Sequence, residues 1–197
     1  KLSLPIAAGR SASPAESVTR HARAAPFSPN AAMPLVEFST LPADARVWIF
    51  GATAPLDEID EAKLLAAVDA YLFQWKAHGH PLRCARQWSE DRFLVIGVDQ
   101  RTEGASGCSI DGLFRTLQDL EKAVGTSLVG GGNVFFRDAM GLVHGIPRAD
   151  FELLSRQGAV GTATPVFDTT VTSLGDYRAG FERPAGQSWH AALLTTR

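Results

Sequence analysis

One segment constrains the fold of this chain more than any other. Residues 92–99 read Arg-Phe-Leu-Val-Ile-Gly-Val-Asp, so six apolar or glycine residues stand between two charged ones. A short, continuous apolar run that is rich in Val and Ile is typical of a strand buried inside a sheet. We therefore expect residues 92–99 to form a central strand.

The segments around this strand complete a mixed pattern. β-prone runs predict further strands at 46–50, 82–88, 133–137, 142–146 and 166–171. Apolar residues at helical spacing predict helices at 57–79, 110–124 and 150–156. The order from Val47 to Phe136 is therefore β-α-β-β-α-β, the split βαβ pattern. It predicts an α+β, ferredoxin-like fold: an antiparallel-rich sheet with helices on one face, followed by a C-terminal β-α-β extension.

Composition bounds the domain organisation and the class of protein. The first 32 of the 197 residues are rich in Ala, Ser, Pro and Arg and have no hydrophobic period, so we interpret 1–32 as a disordered extension. Periodic sequence begins after Met33, which leaves open whether 1–32 belong to the native protein. Residues 33–197 are expected to form one domain.

Charge and cysteine content narrow the partners and the compartment. The net charge of -2 gives no basic field that would attract nucleic acid. Two cysteines are too few for a disulfide scaffold, which favours the cytoplasm. No apolar run approaches the roughly 18 residues of a membrane helix. We expect neither a nucleic-acid nor a membrane partner.

Strong cofactor and metal motifs are absent from the sequence. The glycine-rich run at 129–133 lacks the Lys and Ser/Thr of a phosphate loop and is interpreted as a flexible turn. There is no G-x-G-x-x-G fingerprint, no C-x-x-C pair and no H-E-x-x-H. We predict no cofactor and no metal.

The most suggestive segment surrounds Cys108, at the predicted start of the second helix. Ser109 is a plausible N-cap, and Asp111 falls in the first turn. Free N–H groups and the helix dipole at such a position favour a thiolate, and the backbone N–H groups from Gly107 to Ser109 could bind an anion. Ser106, Gly107 and Ser109 are therefore candidate ligand-binding residues. The alternative is a small buried cysteine at a tight helix entry.

A cysteine nucleophile usually needs a base, and His78 or His190 could supply it. The alternative for His78 is capping of the first helix, which Gly79 would close. Trp75 and Trp189 are candidate ligand contacts, although Trp75 also suits the core and Trp189 could anchor a last strand.

Four motifs in one order resemble a family of small bacterial proteins that are often labelled ABC transporter ATPases. They are Leu41-Pro42-x-x-x-Arg46-Val47-Trp48-Ile49, Trp75-x-Ala77-His78-Gly79, Ala105-Ser106-Gly107-Cys108-Ser109-Ile110-Asp111 and Ser188-Trp189-His190. The chain has no phosphate loop to match that label. The resemblance implies only that the four segments belong together, with Trp75, His78, Cys108, Asp111, Trp189 and His190 sharing a pocket.

Two functions from different classes follow. The favoured one is a non-catalytic ligand-binding or regulatory module with a site near Cys108 for a small anion or a protein partner. The other is a cysteine-dependent enzyme for acyl transfer, hydrolysis or thiol redox chemistry. In it Cys108 is the nucleophile and His78 or His190 is the base.

Overall fold

A computed structural model describes residues 35–101 and 103–195. The expected extension at 1–32 lies outside the described residues. Within them the strands are Arg46–Gly51 (β1), Lys76–Ala77 (β2), His80–Pro81 (β3), Cys84–Ser89 (β4), Phe93–Val98 (β5), Asn133–Arg137 (β6), Val143–Pro147 (β7), Pro165–Phe167 (β8) and Glu182–Pro184 (β9). The α-helices are Glu58–Phe73 (α1), Gly107–Val124 (α2), Arg148–Arg156 (α3) and Leu174–Gly180 (α4). The protein is therefore α+β, as the sequence predicts.

The central strand of the first sheet is the one that its composition predicts. β5 lies between β1 and β4, antiparallel to both, and all six of its residues are buried. Because both edges of β5 are paired and both faces are covered, none of its residues needs to be polar.

The two long helices cover one face of this sheet. Leu64, Val68 and Leu72 of α1 and Leu113 and Leu117 of α2 are buried in one cluster with alternate residues of the strands. Asp57 caps α1 by accepting hydrogen bonds from two N–H groups of its first turn. Gly125 ends α2 in the left-handed conformation (φ 66°), which a glycine adopts without strain.

The opposite face of the first sheet is also covered. Leu174 and Tyr177 of α4 pack with Val47 and Val95, and a 3-10 turn at Phe38–Thr40 lies beside them. The expected arrangement, with helices on one face only, is therefore incomplete because the sequence reasoning missed α4.

A second antiparallel sheet has the order β7-β6-β8-β9. It carries the strand at 133–137, which pairs with β7 and β8. Aromatic side chains join the two sheets: the ring of Phe93 in β5 lies 5.1 Å from that of Phe135 and 4.8 Å from that of Phe167. The other face of this sheet packs against α3 and the C-terminal 3-10 turns.

The largest differences from the expectations concern three elements. The first helix ends at Phe73 instead of Gly79, because residues 76–81 form the β2–β3 hairpin. The predicted strand 166–171 is only three residues long, at 165–167. The expected last strand at Trp189 is a 3-10 helix, Trp189–Leu193. No helix in the described part of the chain is long and apolar enough to cross a membrane.

Candidate functional site

The helix α2 begins three residues earlier than the sequence predicts. Ser106, not Ser109, is the N-cap: its side chain accepts a hydrogen bond from the N–H of Ser109 at 3.3 Å. The Ser109 hydroxyl donates back to the carbonyl of Ser106 at 2.8 Å. Cys108 therefore lies inside the first helical turn, with Gly107 before it.

Trp75 reaches this turn from the end of α1. Its indole N–H donates to the carbonyl of Ser109 at 2.9 Å, and the Tyr71 hydroxyl donates to the same carbonyl at 3.0 Å. Trp75 is only 3% exposed and packs edge-on against Trp48. The structure thus brings Trp75, Ser106 and Ser109 together, with Trp75 holding the start of α2 from the core side.

The chemically suggestive side chains at this helix end are exposed. Gly107, Cys108 and Asp111 all face solvent, so the alternative of a buried Cys108 is wrong. In the part of the chain that the structure describes, the Cys108 thiol has no hydrogen bond to a histidine, and Asp111 forms no salt bridge. Cys84 is buried, and burial raises the pKa of its thiol to about 12.

His78 is also exposed, in the turn of the β2–β3 hairpin. Both His78 (φ 50°) and Gly79 (φ 85°) are left-handed, as a tight hairpin turn requires. The interpretation of His78 as a helix cap is therefore wrong, because α1 has already ended at Phe73.

His190 lies in a different cluster, under the second sheet. It is 1% exposed, its Nδ1 is 2.8 Å from the Ser188 hydroxyl, and its ring stacks on Trp189. Burial lowers its pKa to about 4, with Arg148 also lowering it and Asp168 opposing the shift. His190 is therefore neutral near pH 7, enclosed by aromatic rings instead of lying beside an open pocket.

Trp189 joins this cluster to the chain that follows β8. Its indole N–H donates to the Asp168 carboxylate at 3.2 Å, and Arg148 lies over its ring at 4.8 Å. The same Asp168 oxygen accepts hydrogen bonds from the N–H and the hydroxyl of Thr170. Trp189 and Asp168 thereby position the segment that begins at Thr169.

That segment forms one wall of a cavity of about 220 Å³, which we call the edge cleft. The edge cleft is lined by residues 47–51 of β1, by 128–133, by 169–172 and by Phe114 and Phe135. None of these lining residues is charged. The cleft therefore combines apolar side chains with hydroxyls, one amide and main-chain groups.

The polar groups of β1 in the edge cleft follow from strand geometry. At the start of the strand, the N–H of Val47 donates to the carbonyl of Thr172 at 2.9 Å. Backbone N–H groups alternate between the two edges of a strand, so the N–H groups of Ile49 and Gly51 point the same way, into the cleft. Within the described residues these groups have no partner outside the β1–β5 ladder.

The other walls of the edge cleft are held in place by specific contacts. The Glu121 carboxylate accepts hydrogen bonds from the N–H groups of Leu128 and Val129, which anchors the glycine-rich run at its start. The ring of Phe135 packs so closely on Gly51 that a Cβ there would lie 2.4 Å from Cζ. The cleft is thus largely pre-formed.

Sequence reasoning missed this cleft. It did notice the glycines at 130–132, but it had no reason to place them beside β1. No group of three or more His, Cys, Asp and Glu side chains that could hold a metal occurs within 35–101 and 103–195. Comparisons with family models, curated protein sequences and solved structures found no match.

Proposed function

We propose that this chain is a non-catalytic binding module whose ligand occupies the edge cleft. One observation carries the proposal: backbone groups of β1 that have no partner among the described residues, together with Asn133 and the threonines at 169, 170 and 172, line a cavity of about 220 Å³ whose other side chains are apolar. A few polar groups that converge in an apolar concavity are the usual signature of a small-molecule or peptide site.

The lining also indicates the charge of the ligand. A charged group that entered an uncharged cleft would lose hydration without gaining an ion pair. The part of the ligand that enters is therefore uncharged and carries both donors and acceptors. This differs from the small anion that the sequence suggests near Cys108.

The test is a screen of uncharged amide fragments against the full-length protein labelled with nitrogen-15, read from amide chemical shifts. We expect saturable shifts that cluster at Ile49–Gly51, 130–133 and 169–172. Fragments that shift only other regions, or no fragment at all, would overturn the proposal.

A matched pair of variants controls for indirect effects. A Cβ at Gly131, in the cleft, or at Gly161, outside it, would meet no atom within 4 Å, and neither residue has a positive φ. Gly131→Phe is expected to weaken fragment binding at least about tenfold, an effect of about 1.4 kcal/mol, whereas Gly161→Phe leaves it unchanged. Equal effects of the two variants would count against the cleft.

A second proposal is the cysteine-dependent enzyme. It is supported by the exposure of Cys108 in the first turn of α2, where a thiolate would lie near free N–H groups. Iodoacetamide labelling against pH, read by mass spectrometry with buried Cys84 as the internal control, tests it. The enzyme requires half-maximal labelling of Cys108 well below about pH 8.5, the value for a free cysteine.

An anion at the same helix end is a separate proposal. The Ser106 cap engages the N–H of Ser109, and the Ser106 carbonyl engages that of Ile110, which leaves the N–H groups of Gly107 and Cys108 for a ligand. Titration with inorganic phosphate should then move those two amides first. An unchanged spectrum at the start of α2 would remove this proposal.

Three proposals concern the protein as a whole. The strand order β1-β5-β4, with α1 and α2 on one face, supports a split βαβ core of ferredoxin-like type whose fourth strand has joined a second sheet. The four shared motifs support membership of the family labelled ABC transporter ATPase, and the two free cysteines support a cytoplasmic location.

A further inference from the structure

Among residues 35–101 and 103–195, only the first part of the outer edge of β1 has a hydrogen-bonded partner segment. The segment after Thr170 already runs antiparallel to it: Ser173 lies opposite Arg46, and Thr172 accepts a hydrogen bond from Val47. Beyond Val47 the two segments separate, and the edge cleft opens between them. Among the described residues, the same edge is thus paired with another segment at one end and unpaired at the other, and we call the second part the open position.

The open position presents main-chain groups in the spacing of a strand. The N–H and C=O of Ile49 and the N–H of Gly51 point into the cleft and have no partner among the described residues. In an antiparallel pair, one residue of a partner strand exchanges two hydrogen bonds with the residue opposite. Ile49 is placed to make such an exchange.

We propose that the edge cleft binds an extended, uncharged peptide segment of a partner protein, which pairs with Ile49 and Gly51 as an added antiparallel strand. This inference rests on the proposed function and names its ligand class. Addition of a strand to a sheet edge is a recurring mode of peptide recognition, in which main-chain hydrogen bonds supply affinity and pockets for alternate side chains supply specificity.

The walls define which segment fits. About two or three residues of an extended chain span the open part of the edge, at roughly 3.4 Å per residue. Phe114 and Phe135 give the lining apolar rings, and Thr169 and Thr172 give it side chains that carry hydroxyl groups. A segment that alternates small apolar and hydroxyl side chains matches both kinds of surface.

The probe for the experiment is a capped pentapeptide, acetyl-Thr-Val-Thr-Val-Thr-amide, titrated into the full-length labelled protein. We expect the amides of Ile49 and Gly51 to shift and to become protected from hydrogen exchange on binding. The amides of Trp48 and Phe50 serve as internal controls, because they point towards β5 and are already paired there.

Two N-methylated forms of the peptide test the edge pairing directly. One carries methyl groups on the Val nitrogens and the other on the Thr nitrogens, so each blocks one edge of the added strand. Because β1 uses only one edge of its partner, we expect one form to bind at least about tenfold more weakly and the other to bind like the parent.

The outcomes separate the two proposals. If amide fragments occupy the cleft but the two methylated peptides bind equally, whether like the parent or more weakly, the strand pairing is wrong and the binding module stands. If neither fragments nor the peptide reach the cleft, both proposals fail. Protection of Ile49 and Gly51 by the parent peptide, lost with one methylated form alone, supports the added strand.

Discussion

The start of α2 and the edge cleft are two candidate sites of opposite kinds. The first is local: its cap, its cysteine and its carboxylate all lie within residues 106–111. The second is assembled from β1, the glycine-rich run and the segment after Asp168, which are more than 30 residues apart along the chain (47–51, 128–133, 169–172). One is exposed on a helix end, and the other is enclosed between elements.

The difference shows what residue types can and cannot reveal. Cys108 draws attention because thiols react, yet in the described structure no histidine is hydrogen-bonded to it. The residues of the edge cleft carry no reactive side chain, because the polar groups there are mainly backbone atoms and threonine hydroxyls. Which backbone N–H groups are unpaired depends on strand pairing and not on the residues that carry them.

The largest expected effect concerns His190, which supports the cleft wall through Trp189 and Asp168. Its pKa is about 4 in the fold and near 6.5 when unfolded, so the unfolded state binds more protons as the pH falls. The contribution of neutral His190 to the free energy of unfolding is fully present above pH 6.5 and is lost as the pH falls towards 4. The loss is about 3 kcal/mol.

Urea unfolding between pH 7.5 and pH 4 measures this loss, with His190→Phe as the comparison. The variant keeps an aromatic ring beside Phe151 and Trp189 but cannot titrate. Its stability should therefore change less with pH than that of the parent. Parallel curves for the two proteins would assign the acid sensitivity to other groups.

The next effect compares how tightly a glycine is packed at each of the two sites, measured by the stability that a Gly→Ala substitution costs. Gly51→Ala forces a Cβ to within 2.4 Å of the Phe135 ring, so we expect a stability loss of about 2 kcal/mol. Gly107→Ala, at the start of α2, meets no atom within 4 Å and should change stability by less than about 0.5 kcal/mol.

Thermal and urea unfolding of both variants measure the contrast. The double variant Gly51→Ala with Phe135→Leu shows whether the ring is responsible, since a smaller side chain leaves room for the new methyl group. The double variant should lose less stability than the sum of the single ones. Strict additivity would mean that the Gly51 contact does not matter.

A smaller effect concerns the anchor of α2. Trp75→Phe removes the indole N–H that donates to the Ser109 carbonyl, and Tyr71→Phe removes the second donor. Tyr71→Phe should cost about 1 kcal/mol, and Trp75→Phe somewhat more, because the smaller ring also leaves a cavity at a buried position. Because both residues donate to one carbonyl, the two losses should not simply add. Hydrogen exchange at Ser109 and Ile110 should rise in step. No change there would mean that α2 starts independently of Trp75.

The smallest effect is expected at Cys108. Cys108→Ser alters an exposed side chain, so stability should stay within about 0.5 kcal/mol of the parent. If the edge cleft is the binding site, amide fragments should bind this variant as they bind the parent. A loss of fragment binding in Cys108→Ser would move the site back to the start of α2.

Much of the fold was predictable because its signals are local. The continuous apolar run at 93–98 identified the central strand, and the spacing of Leu113, Leu117 and Val124 identified α2 together with its end at Gly125. Such patterns report burial on one or both faces of a single element, which a sequence displays directly. The α+β class follows from their order.

Other features depended on contacts that no short segment displays. The helical apolar spacing of α1 runs on to Trp75, and the sequence therefore predicts a helix as far as Gly79. Residues 76–81 instead form a hairpin, in which His78 and Gly79 adopt left-handed conformations. The strand at 133–137 fits a split βαβ order, but its pairing with β7 and β8 places it in the second sheet. Pairing partners are chosen by the whole chain.

The sequence by itself therefore determined which segments form helices or strands that are buried on one face or on both. It also identified Cys108 as a residue of chemical interest. Tertiary structure alone decided where the unpaired main-chain groups lie. Ile49 and Gly51 look like ordinary strand residues, and their polar groups become a candidate site only because the segment at 169–172 leaves β1 after Val47. Hydrogen-bond satisfaction is a property of the assembled fold and has no signature in residue type.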